Sequence, residues 1–116
     1  MVLVGRRESR LNEIKNKLNA DFPVIAVHTV ALDVADTESV EALPSTLPPS
    51  FKDVDLLINN AGLALGVTSI HENSVSDAAT VMNTNVMGTV AFCSTFTPGM
   101  MRRGKGHIVN IGSCAG

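Results

Sequence analysis

The chain has no tyrosine and no tryptophan, and it carries only four phenylalanines. No basic run is interleaved with aromatics, and the formal net charge is −2. It therefore lacks both the stacking platforms and the positive field that nucleic acid or an anionic membrane surface requires. Cysteine is scarce as well. Cys93 and Cys114 form neither a CxxC nor a metal-ligand spacing, so they read as reduced thiols of a cytoplasmic protein, and no metal site is expected. The apolar part of "MVLVGRRESR" is too short for a secretory signal. Charge is absent from Ala78 to Met101, a stretch long enough to span a bilayer. Yet it contains Asn83, Thr84, Asn85, Ser94, Thr95, Thr97 and Pro98, which favours a helix buried within protein. What remains is a globular composition, 45% apolar and 17% charged over 116 residues, enough for one small domain.

The patterns alternate between strand and helix. "MVLVG" is a short strand ending on Gly5. In "ESRLNEIKNKLNA", Leu11, Ile14 and Leu18 share one helix face, and Glu13 and Lys17 are placed to pair across one turn outside it. "PVIAVHTVALDV" is β-branched and predicts a second strand. "DTESVEAL" predicts a helix capped by Asp36, and the prolines of "PSTLPPSF" end it. "VDLLIN" is a third strand. One long helix is predicted from about residue 74 to 103, with bends at Gly88 and Pro98 and an end at Gly104 and Gly106. "HIVNIGS" is a fourth strand. The order β-α-β-α-β-α-β with short, continuous apolar strands predicts an α/β protein, its parallel sheet covered on both faces.

In such a sheet, ligands bind outside the carboxyl ends of the strands. The loops there are "GRR", "LDVAD", "NNAG" and "GSCAG", all polar or glycine-bearing. Gly5 allows a close turn, and Arg6 and Arg7 offer planar, permanently charged donors suited to phosphate; the alternative is a solvated pair that opposes the dipole of the following helix. Asp33 can accept from a base amino group or serve as a turn residue. Ala61 and Gly62 let backbone approach a flat ligand, while Asn59 and Asn60 each donate and accept. Asn85 lies in a charge-free helix where an amide needs partners, with Asn83 nearby. Ser113 ends the fourth strand on the same edge.

Taken together, Gly5-Arg6-Arg7, Leu32-Asp33-Val34, Asn59-Asn60-Ala61-Gly62, Asn83-Thr84-Asn85-Val86-Met87-Gly88 and Ile108-Val109-Asn110-Ile111-Gly112-Ser113 resemble the classical short-chain dehydrogenase/reductase family across the whole chain. The "NNAGLALG" and "NIGSCAG" forms look most like its branch acting on serine, allo-threonine and other 3-hydroxy acids. The resemblance implies a doubly wound, Rossmann-type sheet and an oxidoreductase transferring hydride between NADP(H), rather than NAD, and a small alcohol or carbonyl substrate. It implies that Arg6, with Arg7, binds the 2′-phosphate. Asp33 and Val34 would meet the adenine, Asn59 would stabilise the central strand, and Asn60, Ala61 and Gly62 would line a ribose. Asn85 would hold a water of a proton relay, and Ser113 would polarise the substrate oxygen. It further implies a homo-oligomer, dimer or tetramer, joined through helix 74–103.

The departures from the family pattern are as informative. The family's glycine-rich turn and first strand have no counterpart in residues 1–116, nor does its Tyr-x-x-x-Lys, which supplies the general acid/base. The chain therefore reads as the central part of one NAD(P)-binding domain, with the first strand of the full fold missing. "MVLV" and "DLLIN" would then not be neighbours, leaving an apolar slot and unpaired backbone edges. Two other readings stand beside the enzyme segment. One is a catalytically inactive fragment acting at most as a subunit-interaction module. The other is a different Rossmann-type binder such as a methyltransferase, which a GxGxG turn before an acidic strand end would favour; none is visible.

Overall fold

The computed structural model describes residues 1–66 and 69–113. Its elements run β1 (Val2–Gly5), α1 (Glu8–Asp21), β2 (His28–Ala31), α2 (Thr37–Thr46), β3 (Leu56–Asn59), α3 (Val75–Met82), α4 (Gly88–Arg103) and β4 (His107–Asn110). Short 3₁₀ turns stand at Pro49–Phe51 and Ile70–Glu72. The helix expected as one piece is two, joined by a π-helical segment at Asn83–Met87. Ser74 caps α3 by accepting from the backbone N–H groups of Ser76 and Asp77. Gly104 stops α4 in the left-handed region at φ 64°, which costs glycine little. The second strand is shorter than its β-branched run suggests. Pro23 to Val27 lie outside it, and Val24 is fully in solvent.

Asp36 caps α2, accepting from the Ser39 backbone N–H at 3.1 Å and the Ser39 hydroxyl at 2.6 Å. These hydrogen bonds from Ser39 hold its carboxyl below the usual value. On α1, Glu13 pairs with Arg10 at 2.8 Å and not with Lys17. The expected pairing spans one turn in the other direction, and both choices are open on an exposed face.

The strands form two parallel pairs and not one sheet. β1 pairs with β2, Val2 opposite His28, and β3 pairs with β4, Leu56 opposite His107. β1 and β3 do not pair. One apolar core underlies both pairs. Val40, Leu43 and Leu47 beside α2's face meet Ala91, Phe92, Phe96 and Met100 of α4, with Leu57 of β3 above them and Val2, Val4 and Val30 packed at the side. Because strand side chains alternate, Leu3 and Gly5 face the other way. There Leu11 of α1 lies 3.6 Å from where a Cβ on Gly5 would stand. Nothing comparable covers β3 on that face: Leu56 and Ile58 are 54% and 55% exposed.

The apolar residues of α4 do encircle it, and the structure sorts them into a buried and an outward set. Phe92, Phe96 and Met100 recur every four residues and are buried in the chain's own core. Phe96 and Met100 are thus not part of an uncovered face. The outward stripe is Met82, Val86, Val90 and Met101. Among the described residues no helix is long and apolar enough to cross a membrane.

The start of β3 is tied to the end of α4 by charge. Lys105 Nζ lies 2.6 Å from one oxygen of Asp55, and Arg103 lies 3.3 Å from the other and from Asp53. Arg103 also donates to the Val54 carbonyl at 2.6 Å. The Lys105 hydrogen bond, with Arg103 adding to it, holds the Asp55 carboxyl below its ordinary 3.8. A lowered carboxylate contributes stability that is fully present above its unfolded value and is lost as pH falls through the folded one. Acid unfolding followed by urea midpoint should therefore show a loss below about pH 4. Asp55→Asn should flatten that segment of the profile. A parallel profile in the variant would show that the cluster contributes nothing.

Candidate functional site

Within each pair the strands run the same way, and the loop after β2 is brought near the loop after β3, because Gly88 abuts Val34 while Asn85, three residues earlier, holds Leu63. β1 ends on Gly5, and Arg6 and Arg7 follow, both exposed. After β2 comes Asp33, whose one oxygen accepts the Ala35 N–H at 3.0 Å and whose other lies 3.8 Å from Arg6 Nη1. Asp33 thus forms its own turn and also faces the arginine. The Arg6 contact is long, and its side chain is 68% exposed, which leaves guanidinium donors available.

Val34, next along, is half-buried because α4 begins against it. A Cβ at Gly88 would stand 2.7 Å from the Val34 carbonyl oxygen, so only glycine permits this approach. The contact joins the β2 loop to the helix behind β3.

Asn59 ends β3 opposite Asn110 in register. Its Nδ2 donates to Asn110 Oδ1 at 2.8 Å and lies 3.4 Å from Cys93 Sγ. Asn60, Ala61 and Gly62 follow, all exposed. Asn85 sits in the π-helical segment and grips the same loop. Its Oδ1 accepts the Leu63 N–H at 2.9 Å, and its Nδ2 donates to the Leu63 carbonyl at 2.8 Å. A single wide turn re-aims side chains and recurs at functional sites; here it points a carboxamide at loop backbone. Both ends of that amide are engaged, so its direct work in this structure is to hold the loop.

Ser113 is exposed beyond β4 on the same edge, where the Ile111 N–H extends the ladder to Asn59. Cys114 lies outside the described residues. Among the described residues no group of His, Cys, Asp or Glu is placed to hold a metal.

Two participants were not singled out from sequence. Asn110 had a signal: "LLIN" and "HIVN" both end on asparagine, and parallel strands in matched register set their last residues side by side. The backbone of Leu63 had none, since its role depends on where the helix brings Asn85.

The family model for short chain dehydrogenase matches residues 1–116. The chain belongs to the short chain dehydrogenase family. Its relatives in that family include the NADP-dependent 3-hydroxy acid dehydrogenase YdfG of Salmonella typhi and its counterpart in Escherichia coli K12, each 40% identical over the whole chain. The NADP-dependent 3-hydroxy acid dehydrogenase of Schizosaccharomyces pombe is also 40% identical. Among solved structures, serine dehydrogenase from Escherichia coli superposes with TM-score 0.86 at 39% identity, covering 97% of this chain and 50% of that one. The closed form of serine dehydrogenase complexed with NADP+ gives 0.88 at 40% identity, covering 99% and 44%. The chain spans 45% of the length of the first two of these relatives and 44% of the third. The expected family and the α/β architecture with parallel pairing are both found.

Asn85→Ala removes both bonds to Leu63. The Leu63 amide should then exchange with solvent on the order of tenfold faster, while amides in α1, on the far pair of strands, stay unchanged. Equal rates in both proteins would mean that the loop is held by something else.

Proposed function

We propose that this stretch forms the cofactor edge and part of the substrate site of an oxidoreductase that moves hydride between NADP(H) and the CH–OH or C=O group of a small substrate such as a 3-hydroxy acid. What carries the reading is the arginine pair beside the end of β1, at an edge shared with Asp33 and Asn60–Gly62, in a chain 40% identical throughout to NADP-dependent 3-hydroxy acid dehydrogenases. The residues fit the group. Exposed guanidinium donors suit a 2′-phosphate, and the small, exposed Ala61 and Gly62 leave room for a ribose.

In this reading Arg6 and Arg7 hold the phosphate, releasing Asp33 to accept from the adenine beside Val34. Asn60, Ala61 and Gly62 line the adenosine ribose on a loop that Asn85 pins. NADP(H), when bound, supplies or takes up the hydride. Ser113 donates to the substrate oxygen where charge develops. In the family's manner, Asn85 would also hold a water of the proton relay. The proton itself needs a general acid/base, and residues 1–116 contain no tyrosine. That absence favours a second reading of the stretch taken by itself, as a catalytically silent segment that acts only through its contacts. Either reading is of a cytoplasmic protein, the compartment that sparse, unpaired cysteine spacing favours.

The test is a chimera in which residues 1–116 replace the matching stretch of the Escherichia coli relative. It should turn over a 3-hydroxy acid with NADP. Arg6→Asp should shift preference toward NAD by roughly 1–3 kcal/mol of lost charge-assisted hydrogen bonding. Ser113→Ala should lower kcat strongly and leave NADP affinity nearly intact. An unchanged cofactor ratio would remove Arg6 from the phosphate site, and loss of cofactor binding in the serine variant would make Ser113 structural.

The same reading takes the outward stripe of α3 and α4 as a self-association surface, giving a dimer or tetramer. An isologous contact would bury Met82, Val86 and Val90 twice over. Val90, 54% exposed, is the position to change, because its replacement leaves the internal core intact. In the chimera, Val90→Glu should move the sedimenting species toward monomer. A parent that already sediments as a monomer at micromolar concentration would end this proposal.

A further inference from the structure

We propose that the pocket between the end of α2 and the last turns of α4 binds a phosphoryl dianion, either free phosphate or the phosphate ester of a small molecule. The pocket has a volume of about 220 Å³. Pro44 of α2 lines one side, Thr95 and Gly99 of α4 the other, and Lys52, Arg102 and Arg103 stand around it. Arg103 donates to the Val54 carbonyl at 2.6 Å. That contact places the pocket at the start of β3, the opposite end of the strand from Asn59 and Asn60. The proposal does not rest on the oxidoreductase reading.

Charge sets the sign of the ligand. Three cations line the pocket with one carboxylate, Asp53, in a chain whose net charge is −2. Asp53 meets Arg103 at 3.3 Å with its side chain 82% exposed, a contact that water screens and a ligand can displace. Among the described residues, Lys52 and Arg102 have no ion pair and no side-chain hydrogen bond. Gly99 lets two guanidiniums converge. A Cβ there would stand 3.2 Å from Arg103 Nη1 and 3.8 Å from Arg102 Nη2. The two nitrogens therefore lie within about 7 Å of each other, a gap that two oxygens of one anion span when each accepts at about 2.8 Å. Planar guanidinium forks match phosphoryl oxygens in this way. Thr95 adds a neutral donor. Its hydroxyl is shut off from solvent and has no partner among the described residues. Threonine keeps two rotamers in a helix, so this hydroxyl loses no bond in turning to a ligand.

The end of a helix opposes an anion through its free carbonyls. Here the carbonyls of Met100 and Met101 accept from the Lys105 and Gly104 N–H groups, and the pocket lies beside the last turns and not beyond them. Size limits the ligand. A volume of 220 Å³ is the share of about seven waters, below the roughly 300 Å³ at which pockets for larger ligands begin. A dinucleotide is excluded, so the pocket is not a second cofactor site.

Titration of inorganic phosphate into the 116-residue chain, followed by amide chemical shifts at constant ionic strength, tests this. The amides of Lys52, Thr95 and Gly99 should shift together and saturate, and chloride should not move them. Lys52→Ala combined with Arg102→Ala should raise the Kd about tenfold or more. Arg6→Asp, at the other edge, should leave it unchanged. Glycerol phosphate, titrated in parallel, identifies the ester as the ligand if it binds more tightly, and the free ion if it binds less tightly. Shifts that never saturate, an equal response to chloride, or an unchanged Kd in the double variant would each overturn the proposal. So would loss of binding in Arg6→Asp, because the anion would then sit on the arginine pair after β1. If the chain alone is unfolded by circular dichroism, the same titrations by calorimetry in the chimera decide, with the same outcomes.

Discussion

Apolar contact across the layer of α2 and α4 holds the two strand pairs in one body. No ladder connects β1 to β3. Val40 is fully buried at the centre of this layer, with Leu43 and Leu47 on its own side and Phe92 and Phe96 opposite. Hydrophobic contact is non-directional, so it can hold the pairs close without fixing their relative angle. Something else must set the geometry of an edge whose residues come from both pairs.

The backbone approach of Gly88 to Val34 supplies part of that geometry. It joins the loop after β2 to the start of α4, and α4 packs on β3. A side chain at position 88 would meet a carbonyl oxygen at 2.7 Å, and overpacking of this kind typically costs about 1–3 kcal/mol. Carboxamides fix the β3 side of the edge. Asn59 joins β3 to β4, and Asn85 joins the helix to the loop after β3. Amides suit both tasks because one side chain donates and accepts together without adding charge. The opposite edge is built differently, with Arg103 and Lys105 clamping Asp53 and Asp55.

The fold was legible where sequence pattern and geometry coincide. Strands ended where "NNAG" and Gly5 said they would, Asp36 capped α2, and Gly104 stopped α4. Parallel direction within each pair followed from the alternation of strand and helix. Two features were not legible. A helix apolar on all sides has no phase in its pattern, so Phe96 and Met100 could not be told from Val90 until α2 was seen packed against them. The π-helical segment also left no mark, because it adds one residue to a turn without any residue type that demands it. The pairing of Asn59 with Asn110 was in principle readable from two matched strand ends, yet it required the register to be known.

The structure exposes two apolar surfaces, and their backbones distinguish what can cover each. Along α3 and α4 every interior peptide group is already bonded within the helix, so the stripe of Met82, Val86 and Val90 offers side chains only. Any apolar surface of suitable shape can cover it, including a second copy of itself. Beside β1 and β3 the side chains are similar, but the peptide groups of Val2, Val4, Leu56 and Ile58 are unpaired. A buried peptide group without a partner costs about 1–3 kcal/mol. Covering this cleft with side chains alone would therefore forfeit much of what burial gains, and only a segment with its own free backbone groups avoids the loss. The helix stripe thus offers side chains only, and the cleft offers backbone groups as well.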